Sequence, residues 1–177
     1  MLKHMQNPKT AHVPEPGDIN LVELWLRKDP TRLVAGAMAG LFAGLISICV
    51  AGLLAKSGGN EFWFPFKVAA LPVLGGAATE YGMHMKAIVL GLVIHEFISM
   101  VLGMIYSHFV ATNSMPALLG GGFVWGIFSW IFIQNLFIQS FTDVFAAHLS
   151  SGAAFLPLMI FGFSLSSVAF FDRAIRK

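Results

Sequence analysis

The sequence predicts an all-α integral membrane protein: a four-transmembrane-helix bundle with an N-terminal amphipathic interfacial helix. Three observations predict it. Hydrophobic residues make up 56% of the 177 and charged residues 11%, against about 25% charged in a soluble domain, and the mean hydropathy is +0.75. Between Ala87 and Phe171 the only charged residues are Glu96 and Asp143, too few to coat a surface that faces water. The apolar residues also gather into runs near the roughly 20 residues that a helix needs to cross hydrocarbon. The length suits one unit, so a soluble enzyme with an anchor, a disordered chain and a nucleic-acid binder are all excluded. The single cysteine, Cys49, rules out an internal disulfide.

In chain order, residues 1–16 form a polar tail with Pro14 and Pro16 and no apolar period, a composition that does not fold alone. Residues 17–31 follow as an interfacial helix and turn. Asp18 is placed to cap it, Leu21, Leu24 and Trp25 share one face, and Glu23, Arg27 and Lys28 lie away from them. Residues 32–177 make the transmembrane domain, with spans at about 33–55, 86–108, 117–139 and 153–171. The first run begins only after Arg32, too late for the n- and h-regions of a signal peptide, so the first span reads as an uncleaved anchor. Lys56 closes it, and Asp172 with Arg173 closes the fourth.

Four spans put both termini on one side. Lys3, Lys9, Arg27, Lys28 and Arg32 precede the first run, Arg173, Arg176 and Lys177 end the chain, and the second connection, 109–116, has no Lys or Arg. The positive-inside bias places both termini in the cytoplasm, and the expected location is a bacterial inner membrane. The one long connection, 57–85, holds Phe62-Trp63-Phe64-Pro65-Phe66, then Pro72 and Gly75-Gly76. It is too broken to span, and its aromatics suit an interfacial or re-entrant segment on the outer face. The connection 140–152, with Asp143 and His148, shares that face.

Lipid tails are as apolar as leucine, so close packing over small residues has to hold the helices together. Gly36, Gly40 and Gly44 recur every four residues in the first span, beside the row Ala35, Ala39, Ala43 and Ser47. Gly122 and Gly126 repeat the spacing in the third. In the second span Ala87, Gly91, His95, Ser99, Gly103 and Ser107 recur every four, forming a slanted ridge of small and polar groups. His95 therefore points at another helix, with Ser129, Gln134 and Asn135 of the third span as candidate neighbours. It reads either as a neutral core histidine donating to a carbonyl or amide, or, with Glu96, as a proton or polar contact. The two side chains diverge by about 100°, so they cannot serve one ligand as a simple helical pair. An ionisable Glu96 at membrane depth is nevertheless a functional hypothesis in its own right.

Cofactor sites fare less well. No second mid-depth histidine exists for a bis-histidine haem at His95. His84, Asp143 and His148 are weak metal candidates on the outer face, and Met83-His84-Met85 has the softness of a copper ligand set. The expectation is no resident metal, no cofactor and no enzyme activity. No Walker, GxSxG, HExxH or CxxC motif is present, and Gly120-Gly121-Gly122 lacks the Lys and Ser/Thr of a phosphate cradle.

The segments HEFISMVLGMIY (His95–Tyr106), LLGGGFVWGIFSW and the charged ending FFDRAIRK resemble the uncharacterised YagU-like four-helix inner-membrane proteins. That resemblance covers the second to fourth spans. It implies a four-helix fold but no settled activity or site. Three functions remain open: a non-catalytic accessory or assembly subunit of a larger membrane complex, respiratory or electron-transfer in kind; a small transporter or proton-conducting protein using His95 and Glu96; and a membrane redox or metal protein with an outer-face site. The first is favoured, with other integral membrane subunits and the lipid bilayer as partners and no nucleic acid.

Overall fold

The computed structural model describes residues 29–137, 152 and 154–177. The tail, residues 17–28 of the expected interfacial helix and turn (17–31), Asp143 and His148 lie outside the described residues. Among the described residues there is no strand, and four helices are long and apolar enough to cross a membrane: Pro30–Ser57, Met85–Phe109, Met115–Asn135 and Phe155–Ile175. The protein is an all-α, multi-pass membrane bundle.

Helix α1 (Pro30–Ser57) begins three residues before the sequence reading placed its start. Asp29 accepts from the Arg32 amide at 3.0 Å and Pro30 occupies the first turn, where its missing N–H costs nothing. The charge of Arg32 does not end the helix because its guanidinium is paired inside the bundle. The connection that follows holds α2 (Phe64–Ala69) and α3 (Leu71–Leu74), and Gly75, at φ 62°, breaks the chain there. Helix α4 (Met85–Phe109) returns antiparallel to α1. Helix α5 (Met115–Phe132) continues in π-helical form over Ile133–Phe137. The last span is α6 (Phe155–Ser164), one 3₁₀ turn, and α7 (Val168–Ile175). It runs four residues past the expected end at 171, again because Asp172 is neutralised within the fold.

Helix α1 is the centre of the bundle, and its two small-residue rows serve different partners. The glycine row faces α4. A Cβ on Gly40 would lie 2.2 Å from the Ser99 carbonyl oxygen, and one on Gly103 would lie 2.3 Å from that of Gly36. The two backbones touch, which leaves room only for hydrogen and allows dispersion and Cα–H···O contacts along the seam. The alanine row faces the last span. Ala35, Ala39 and Ala43 are fully buried with Phe161, Leu165 and Val168, and the Ser47 hydroxyl donates to the Pro157 carbonyl at 2.9 Å. Helix α5 packs on α6 through a reciprocal contact, in which a Cβ on Gly122 would meet the Gly162 carbonyl oxygen at 2.3 Å and one on Gly162 would meet that of Gly122 at 2.1 Å. Helices α4 and α5 meet at the end where the described chain begins and ends, where the Tyr106 hydroxyl donates to the Leu118 carbonyl at 2.6 Å.

The aromatic connection neither spans nor lies flat on the surface. It seats itself on the far end of the α1–α4 hairpin, with Phe62 against Gly52 and the Phe66 carbonyl so close to Gly91 that no side chain fits there. Gly91 lies about 9 Å inside the start of α4 at 1.5 Å per residue, so the segment dips less than a third of the way across a 30 Å core.

These contacts set a test. Gly103→Ala should destabilise the detergent-purified protein by about 1–3 kcal/mol through overpacking. Gly120→Ala, which meets nothing within 4 Å, should be neutral or stabilise by up to about 1 kcal/mol from helix propensity. Thermal unfolding of the two variants side by side measures the contrast.

Candidate functional site

Three polar clusters stand out, one at each end of the bundle and one at mid-depth. At the end shared by the described termini, Arg32 is buried and reaches across three elements. One nitrogen donates to the carbonyls of Val110 at 2.8 Å and Thr112 at 2.6 Å, and the other donates to the Asn113 side chain and lies 3.4 Å from Asp172. Asp172 also accepts from Asn113 at 3.2 Å and from Arg176 at 2.9 Å, and Arg176 reaches Asp29 at 2.7 Å. The clasp closes the start of α1, the 110–113 loop and the end of α7 into one unit around a cleft of about 250 Å³. At 3.4 Å the direct Arg32–Asp172 contact is the weakest link, so the carbonyl and amide bonds fix the guanidinium and Arg176 carries more of the charge balance. The hydrogen bonds to Asp172 and Asp29 hold the Arg176 guanidinium further above its ordinary range.

At the opposite end Lys67 is fully buried. Its ammonium pairs with Glu61 and donates to the carbonyls of Glu80 at 2.7 Å and Gly82 at 3.0 Å. The Gly82 amide donates back to Glu61 at 2.7 Å, from a backbone at φ 111° that only glycine adopts readily. All three donors of the ammonium are used, so the cluster is a clip that folds the long connection on itself. The hydrogen bond from Lys67, with help from the Gly82 amide, outweighs desolvation and holds the Glu61 carboxyl below its ordinary value of 4.5.

The mid-depth cluster is the ionisable one. His95 is half-buried and its Nε2 lies 3.1 Å from the Gly44 carbonyl oxygen. A carbonyl only accepts, so Nε2 carries the hydrogen. His95 thus turns to α1 and away from Ser129, Gln134 and Asn135, because the glycine seam brings a backbone carbonyl within reach. Asn135 instead donates to its own Ile131 carbonyl at 2.7 Å. Glu96 stands beside it, about 16 Å from one end of α4 and about 20 Å from the other. Both of its carboxyl oxygens are buried and have no hydrogen-bond partner among the described residues. One lies 3.0 Å from where a Gly44 Cβ would be, so the carboxyl rests in the notch that the glycine leaves.

The other residues singled out in the sequence fall as follows. Gly36, Gly40, Gly44, Ser99 and Gly103 meet in the α1–α4 seam, Gly91 meets Phe66, Gly122 meets Gly162, and Gly126 meets Leu158 and Met159. His84 stands exposed at the N-cap of α4, while Asp143 and His148 are outside the described residues. Among the described residues no group of three His, Cys, Asp or Glu comes together as a metal cluster would. Arg32, Asp172, Lys67 and Gly162 join these sites without a local sequence motif to mark them. The signal was there for two of them, since four spans place the head of the first and the tail of the last at one face.

The chain matches no protein-family model, no curated protein and no solved structure.

Two outcomes follow from the clasps. Arg32→Met should cost about 2–4 kcal/mol, because it orphans the Val110 and Thr112 carbonyls and takes one of two cations from the buried Asp172, and Arg32→Met with Asp172→Asn should recover part of that in a double-mutant cycle read by thermal unfolding. For the clip, a lowered folded-state value means that Glu61 contributes stability above 4.5 and loses it as pH falls through the folded value. The Gly82 amide resonance should therefore titrate below pH 4.5 in wild type, and Glu61→Gln should abolish that titration.

Proposed function

We propose that this protein is a non-catalytic integral membrane accessory or assembly subunit of a larger membrane complex, respiratory or electron-transfer in kind. The observation that carries the reading is how the chain uses its polar groups. Arg32, Asp172, Arg176, Lys67 and Glu61 all tie one segment of the chain to another, and His95 is engaged with α1. Such ties make a stiff scaffold. Its outward faces are large and apolar, with Phe97, Phe123, Phe128 and Phe132 exposed, and can lie against lipid or a neighbouring subunit. In this reading the protein sits in a bacterial inner membrane with both termini cytoplasmic. The clasp end carries Arg32, Arg173, Arg176 and Lys177, in the sense of the positive-inside bias. The arginine-free connection 109–116 lies at that same end and so adds nothing to the argument, while Lys56, Lys67 and Lys86 lie at the other.

A second reading, a proton-conducting or transporting protein, is favoured by one specific observation: the two unpartnered oxygens of Glu96. It is weakened as a His95–Glu96 relay, since His95 already donates to Gly44.

Purification from native membranes in mild detergent tests the first reading. The expected result is stoichiometric co-migration with other integral membrane subunits on a native gel. A lone monomer under conditions that keep other complexes whole would overturn it.

A further inference from the structure

We propose that Glu96 is a proton-exchanging carboxyl inside the membrane, reactive toward lipophilic carbodiimides, and that the notch over Gly44 creates the site. The inference goes beyond the scaffold role and stands whether or not the chain joins a complex.

The placement carries it. Glu96 lies near the middle of α4, with both oxygens buried and no donor on either among the described residues. The structural carboxylates of this chain are treated differently: Glu61 receives Lys67 and an amide, and Asp172 receives Asn113 and Arg176. A carboxylate without a donor is costly in hydrocarbon, and a proton is the one cation that needs no further ligands there. Among the described residues the surroundings supply no other charge. On α4 the adjacent group is His95, whose Nε2 is on the Gly44 carbonyl. On α1 the charged residues Arg32 and Lys56 are each about 18 Å along the helix from Gly44, and Cys49 is exposed. The connection packed on α4 presents Lys67, already paired with Glu61. On the lipid side, Val93 and Phe97 of α4 are exposed, so an apolar reagent dissolved in the bilayer reaches the flank of the site.

The chemistry is balanced. The acid O–H adds across one C=N bond of the carbodiimide: the proton goes to nitrogen and the carboxyl oxygen bonds the central carbon. Migration of the acyl group to nitrogen then leaves an N-acylurea, with no leaving group and a mass gain of one intact reagent. Only the protonated acid reacts in this way, so labelling reports the proton.

The experiment treats the full-length protein in liposomes with dicyclohexylcarbodiimide and maps adducts by peptide mass spectrometry over a range of pH. The expected result is one adduct, on Glu96, with Glu61 and Glu80 unmodified. Its rate should fall about tenfold per pH unit once the site has titrated. Glu96→Gln should abolish the adduct while keeping wild-type helicity and thermal stability. Gly44→Ala, whose methyl would fill the notch, should change the labelling rate at least severalfold. Absence of a Glu96 adduct in folded wild type, or a rate independent of pH, overturns the proposal.

Discussion

Backbone contact between α1 and α4 is the constraint on which the rest of the structure depends. Inside a bilayer no water is released when two helices meet, so association rests on dispersion, on hydrogen bonds and on how closely the backbones approach. Gly36, Gly40 and Gly44 on one helix, with Ser99 and Gly103 on the other, leave nothing bulkier than a hydroxymethyl where the two backbones come closest. Everything else is positioned by that approach. It brings the Gly44 carbonyl to His95, makes the notch that takes the Glu96 carboxyl, and sets the two helix ends close enough for the aromatic connection to seat on Gly52 and Gly91.

The polar groups then act as end fasteners. Interhelical hydrogen bonds in membranes average only about 0.6 kcal/mol, so Tyr106 to Leu118 or Ser47 to Pro157 fixes register more than it adds stability. The Arg32 clasp is different because it is a network: five side chains and two carbonyls are joined, so removing one member takes a partner from several others at once. At the other end the Lys67–Glu61 clip does the same for a connection too short and broken to cross the membrane. With both ends fastened, Glu96 is a buried carboxyl in the described spans whose two oxygens have no hydrogen-bond partner among the described residues. That contrast is why it is the residue worth testing for proton chemistry.

Much of this was legible in the sequence. Hydropathy over runs of about 20 residues located four spans, and the four-residue spacing of glycines located the faces that pack. What sequence could not say was which face meets which helix. The rows Gly36–Gly40–Gly44 and Ala35–Ala39–Ala43 look like one ribbon, yet they serve α4 and the last span separately. Nor could local reading find the partner of Arg32, because Asp172 lies 140 residues away. Treating both as markers of a span's end shortened α1 and the last span by several residues. The side-chain pattern points His95 toward the polar residues of the third span, yet it meets the Gly44 carbonyl instead. A bare backbone carbonyl in a glycine seam is an equally good acceptor, and it carries no mark in the side-chain pattern.

A leucine scan along α1, read as thermal stability in lipid nanodiscs, tests the central claim most directly. The account predicts a helical period: large losses at Ala35, Gly36, Ala39, Gly40, Ala43 and Gly44, and little change at the exposed Met38 and Leu45 when these are replaced by alanine for comparison. Losses that ignore this period, or none at Gly40 and Gly44, would contradict it.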